Sequence, residues 1–423
     1  MCASGGSIWV SKKPGSARIE LPLPTCVQAG NRGAMSIGSA FRLSRAPALA
    51  FAGMGGLWGS FAAYVPVIKA GLGAGDGVFG MALLFSAVGL VMAMWLAPVA
   101  DARLGRLALP IASGLLSLAF LLPGSAGTLV VFALCMACVG MASGLCDVVM
   151  NARVSELEAA HNRSLMNLNH AMFSFGYAAA AVAAGVAREA GWPPVQMFAT
   201  VGVIALMATF AMRMDVAVVP VEDEQTRRAF PRAIVFWGGA IVLVAFLSEN
   251  AAEAWSALHI ERTLGGGAAE GAFGPAMLGL TMGIGRFSGQ LIADRLRETL
   301  VIRWAAVVSA LGAGLAAWAV NLPMAYAGFA LFGLGISVLA PMGLALVGKR
   351  VAPVHRTKAI SRTAVIGFLG FFIGPPVMGL LSELFSLRVS FSFVALLLLA
   401  ILLMLLPLRR SESQVAGTSQ TRP

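Results

Sequence analysis

Long apolar runs alternate with short polar gaps from Ala46 to Leu408. Roughly 20 helical residues cross a hydrocarbon core of about 30 Å. Runs near that length lie at 46–67, 77–99, 107–124, 127–149, 168–187 and 193–212, then at 233–256, 272–293, 300–320, 323–348, 359–381 and 388–408. The one long charged interruption is Arg213–Arg232, with Asp215, Glu222, Asp223, Glu224, Arg227 and Arg228, and it divides the segments six and six. The pattern predicts an all-α membrane protein of twelve transmembrane helices in two six-helix bundles. Its parts are a cytoplasmic tail (1–44), a first bundle (45–213), a charged cytoplasmic linker (214–232), a second bundle (233–410) and a short tail (411–423).

Composition agrees: 58% of the 423 residues are hydrophobic and only 12% are charged, too few to cover a soluble surface. The net charge of +11 does not imply nucleic acid, because the basic residues fall beside alternate loops rather than in one patch. Of the 30 Lys and Arg, only Lys69, Arg188, Arg262 and Arg388 fall on the outer loops if the N-terminus is inside, and Arg286 lies within a segment. That bias orients the chain with both ends cytoplasmic. The first 34 residues lack the continuous apolar stretch of a signal peptide and read as a disordered tail, and Met35 is an equally good start. Cys135, Cys138 and Cys146 share one apolar segment, where packing explains them better than redox or zinc chemistry.

An internal repeat is visible. APVADARLGR (97–106) closes segment two and SGQLIADRLR (288–297) closes segment eight, each with an Asp and then Arg at the inner exit. Two halves related in this way fit a transporter built from parallel repeats. The two loops resemble the motif of the major facilitator superfamily between its second and third helices. Gly289, Asp294 and Arg295 match it well, whereas in the first copy Ala102 follows Asp101, and Gly105-Arg106 sit one residue late. GLWGSFAAYVPVIKAGL (56–72), GLCDVVMNARVSELE (144–158), LNHAMFSFGYAAAA (168–181) and SENAAEAWSAL (248–258) further resemble the fucose-permease-like branch, which includes many bacterial inner-membrane transporters. The resemblance implies alternating access and a cytoplasmic latch made by Asp101, Arg103, Arg106, Gly289, Asp294 and Arg295. It also implies proton coupling through an acid four residues before an Asn in helix four, the spacing of Asp147 and Asn151. The permease's acid in helix one has no counterpart between Ala46 and Val67.

Charges inside a bilayer are costly and are functional candidates by default. Asp147 and Asn151 share a helical face and suit a hydroxyl-rich or zwitterionic solute; the bland alternative is an interhelical bond or a pair with Arg153. Glu249 and Glu253, placed towards the outer end of segment seven, also share a face. Like charges in low dielectric disfavour joint ionisation, so one readily holds a proton. Arg286 would pair with a cavity carboxylate, hold an anionic group or brace two helices. His170, at the start of segment five, is either a titrating group or simply wet. Trp58, and more weakly Tyr64 and Trp255, would stack on a solute ring or else anchor an interface. Gly53, Gly55, Gly56, Gly140 and Gly144 permit close helix contact.

Together these features predict a secondary transporter, proton-coupled, for a small polar sugar-like solute bound between segments one, four, seven and ten. Proton-driven efflux of amphipathic compounds is the alternative. A membrane-embedded enzyme is disfavoured, since neither HExxH nor GxSxG occurs and the four His are scattered. The expected partners are the solute, H+ and lipid, with no cofactor, metal or nucleic acid, for a monomer.

Overall fold

The computed structural model describes residues 36–214, 230–292, 297–351 and 353–419. The amino-terminal tail up to residue 35, most of the charged linker, and Asp294 and Arg295 of the second motif lie outside the described residues.

After a short helix, Ile37–Leu43, twelve longer helices follow: α1 (Arg45–Gly71), α2 (Asp76–Leu104), α3 (Ala108–Ala119), α4 (Leu129–His161), α5 (Met166–Glu189), α6 (Pro194–Ala208), α7 (Arg232–Leu264), α8 (Ala268–Ile292), α9 (Glu298–Ala317), α10 (Leu322–Arg350), α11 (Pro353–Leu384) and α12 (Leu387–Ser419). No strand occurs among the described residues. Local chemistry sets many boundaries. Thr128 caps α4 by accepting from the Val131 amide, and Asn321 caps α10 by accepting from the Met324 amide at 2.9 Å. Pro194 starts α6, where its missing N–H costs nothing. Gly105 reverses the chain between α2 and α3 at φ +53°, a region glycine enters without strain.

Several helices outrun their apolar segments. α4 continues twelve residues past 149 to His161, and α7 runs eight past 256 to Leu264. Hydropathy marks the depth of lipid, not the end of a helix, and residues such as Glu, Ala and Leu in 155–160 keep the helix going. α4 stops only where Asn162 turns left-handed at φ 49°.

The packing repeats between the halves. α1 lies along α5 and α2 along α4, just as α7 lies along α11 and α8 along α10. The halves meet through two equivalent pairs, α5 with α8 and α2 with α11, while α1 touches α7. These are two pseudo-symmetric six-helix bundles. The start of α1 and the end of α12 share one face, called here the terminal face; the other is the opposite face. Large apolar side chains cover the periphery, with Trp95 82%, Phe210 81% and Val320 78% exposed. Water would not tolerate such a rim, whereas lipid solvates it. Ten continuous helical stretches among the described residues are long and apolar enough to span a bilayer, one of them the joined Asp76–Ser125. This is a multi-pass membrane protein.

Candidate functional site

Between the halves lies a narrow cavity of about 30 Å3, lined from α1 by Trp58 and Phe61, from α2 by Leu83 and Ser86, and from α4 by Met136. Tyr177 of α5, Asn250, Glu253 and Ala254 of α7, and Pro375 of α11 complete it. Such a space holds a water or two and no solute. α10, expected at the site, contributes none of these residues.

α7 spans 33 residues, which puts Glu249 near its middle and Glu253 one turn further on. The apolar run stops at 256, so both stay towards the outer end of that run while the helix continues past it. Glu249 is buried and takes a hydrogen-bonded ion pair from Arg286 of α8, Nη2 to Oε1 at 2.8 Å. The other guanidinium arm donates to Ser174 Oγ of α5 at 2.7 Å, so Arg286 ties both halves together. Glu253 is different. Its carboxylate has no hydrogen bond or ion pair among the described residues, and it opens onto the cavity. Near it, the Tyr177 hydroxyl donates to the Glu253 backbone carbonyl at 3.5 Å. Asn250 Oδ1, one turn away on the same helix, is buried without a partner among the described residues.

Asp147, Asn151 and His170 form a second polar group, between α4 and α5 of the first half. Asn151 donates to Asp147 Oδ1 at 3.0 Å and to its backbone carbonyl at 2.8 Å, and His170 Nε2 meets Asn151 Oδ1 at 3.3 Å. His170 sits in the second turn of α5, edge-on to Phe51 at 4.8 Å between centroids, rather than in water. None of the three lines the cavity. Arg153 is also buried, but it pairs with Asp101 of α2 and with Glu156 at 2.6 Å rather than with Asp147.

The other expected residues divide. Trp58 lines the cavity and donates its indole N–H to Ser143 Oγ at 3.2 Å. Tyr64 is wholly buried, with its hydroxyl on the Trp192 carbonyl at 3.0 Å, and Trp255 is wholly buried against Phe79. Tyr64 packs within the first half, and Trp255 packs across the interface between the halves. At the terminal face, Asp101 braces α2 to α4 within the first half, while Arg103 and Arg106 are exposed and Gly289 lies in the last turn of α8. Among the described residues, no His, Cys, Asp and Glu group could hold a metal.

A network absent from the sequence reading closes the opposite face. Asp76, at the start of α2, is buried and bonded by Arg262 of α7 at 2.9 Å, by Lys69 of α1 at 2.8 Å, and by Ser382 of α11. Glu383 of α11 accepts from the Gly77 amide. Beside them Arg188 of α5 grips Glu261 of α7 with both arms, at 2.6 and 3.0 Å. Lys69, Arg188 and Arg262 stand out in the sequence as cations on outer loops, which was the available signal. Among the described residues, the ion pairs that join the two halves lie here.

Comparison with known proteins converges on one family. The model for the Major Facilitator Superfamily matches residues 47–302 and 238–422. The chain is 29% identical over 374 residues to an uncharacterised MFS-type transporter of Yersinia pestis, covering 87% of this chain and 96% of that one. Among solved structures, it is similar to a bacterial homologue of the human lysosomal transporter Spinster, inward-facing and occupied, with a TM-score of 0.65 at 15% identity over 88% of this chain and 96% of that one. It is also similar to a D-xylose-proton symporter, with a TM-score of 0.64 at 14% identity over 88% of this chain and 97% of that one. At these identities the likeness to solved structures is one of fold.

Proposed function

Because the chain belongs to the Major Facilitator Superfamily of transporters, we propose that it moves a small solute across a cell's inner membrane by alternating access, exchanging a proton at Glu253 in each cycle. The terminal face is cytoplasmic, in keeping with the Lys and Arg bias of the loops. The observation that carries the reading is the contrast within α7: Glu249 is held by Arg286, while Glu253 stands unpaired in the cavity between the halves. An unpaired carboxylate in low dielectric binds a proton readily. The groups that face it are Glu249 on its own helix, Arg286 from α8 and Tyr177 from α5; the linings from α1, α2, α4 and α11 bring no charge.

The ion pairs at the opposite face suit an inward-facing or occluded state, in which the path to the outside is shut. A proton shifts the balance only by binding one state better than the other. The lining is mostly aromatic and aliphatic, and the Asp147–Asn151 face that suggested a sugar lies elsewhere, so the walls favour an amphipathic solute.

The test needs no substrate. Spin-label pairs across each face, placed one on each half, report opening by pulsed electron resonance. Between pH 5 and 8 the two sets of distances are expected to shift in opposite directions, and Glu253→Gln to remove that shift. Distances that ignore pH, or a variant that responds like the parent, would sink the proton-exchange reading.

A further inference from the structure

We propose that the solute is an organic ammonium ion, an amine carried on an apolar body, and that it displaces the exchangeable proton from Glu253. The inference rests on the transport reading above and names its cargo.

The cavity's unpaired charge is an acceptor. Glu253 offers an unpaired carboxylate, and Asn250 Oδ1, three residues earlier on the same face of α7, has no donor. Three donors around them are already engaged, the Trp58 indole N–H on Ser143, the Tyr177 hydroxyl on the Glu253 carbonyl and the Ser86 hydroxyl on the Leu83 carbonyl, which leaves the Asn250 amide N–H as the donor a ligand would meet. A buried acceptor left unpaired is costly, so the site is complementary to a ligand that brings N–H groups. An anionic ligand would meet Glu253 directly, since the nearby cation, Arg286, is held by Glu249 and Ser174. A neutral polyol would find few partners among Phe61, Leu83, Met136 and Pro375.

Aromatic rings complete the case. Trp58, Phe61 and Tyr177 line the same space from two helices of the first half, while the acceptors come from α7 of the second. Ring faces attract a cation, more so when water is excluded. An ammonium held between a carboxylate and these rings would therefore draw the halves together around it. At about 30 Å3 the cavity is narrow, so the halves would have to part to admit such an amine. Exchange follows from simple charge balance. The amine arrives protonated, the Glu253 carboxyl releases its proton to water, and the resulting ion pair is neutral overall.

The experiment uses the full-length protein in detergent and isothermal titration with three probes of one shape: phenethylamine, 2-phenylethanol and phenylacetate. Phenethylamine is expected to bind at least tenfold more tightly than either, with about one proton released per site when the measured heats are compared across buffers of differing ionisation enthalpy. Glu253→Gln is expected to cut that affinity at least tenfold and abolish the release. Asn250→Leu is expected to weaken binding severalfold while keeping it. Equal binding of the alcohol or the carboxylate, or full amine affinity in Glu253→Gln, would overturn the proposal. If spin-label distances respond to pH while the amine does not bind, the cargo is wrong and the proton exchange stands; loss of both removes the two together.

Discussion

The Glu249–Arg286 pair shows how one buried charge constrains another. A carboxylate that loses its partner can neutralise itself by taking up a proton, whereas a guanidinium cannot shed one. The two single deletions should therefore differ. Glu249→Gln, which strands Arg286 against Ser174, is expected to destabilise by about 3–5 kcal/mol, the usual cost of orphaning a buried ion. Arg286→Met is expected to cost clearly less, and the double variant to recover most of the loss. Unfolding midpoints of the four proteins in detergent, read as a double-mutant cycle, check this. Sequence made these charges visible, since ionisable groups are scarce in apolar runs, but it suggested that Glu249 and Glu253 work as a couple. Four residues of spacing puts them on one face; which of them meets Arg286 depends on how α8 docks, and no local pattern carries that. Asn250 and Tyr177 went unnoticed because an amide and a phenol in a helix announce nothing until a cavity forms beside them.

At the scale of elements, glycine sets how closely helices approach. Gly140 of α4 lies against the Ser86 carbonyl of α2, and Gly89 of α2 against the Ala137 carbonyl of α4. The second bundle repeats the device, with Gly285 of α8 against Ser337 and Gly333 of α10 against Leu278. A methyl group at Gly140 would overlap backbone on the neighbouring helix, so Gly140→Ala is expected to destabilise by about 1–3 kcal/mol. Gly314, with nothing within 4 Å of an added Cβ, is the control, and Gly314→Ala is expected to be neutral or slightly stabilising. Thermal midpoints of the two variants test the contrast. The twelve helices themselves were legible from the apolar runs, as was the division into two halves. Their ends were not, because a helix such as α4 leaves the lipid at an unmarked turn and continues on helix-forming residues.

For the whole molecule, the opposite face is the side where charge holds the halves together. Asp76 receives cations from both halves, and Arg188 and Glu261 form a second tie beside it. Asp76→Asn loosens the first tie without removing the side chain's bulk. With the native cysteines replaced by serine and a single Cys placed at Ala254 in the cavity, a membrane-impermeant maleimide added at that face is expected to label the Asp76→Asn protein severalfold faster than its parent. Equal rates would mean that these bonds do not hold the face shut. Asp101 and Arg153, by contrast, brace helices of a single half.

The two kinds of pair also differ in what bathes them. Arg262 is 43% exposed, whereas the Arg153 side chain is 1% exposed. Dissolved ions screen accessible charges far more than buried ones. Raising the salt concentration is therefore expected to loosen Arg262 from Asp76 more than it loosens the wholly buried Arg153 from Asp101.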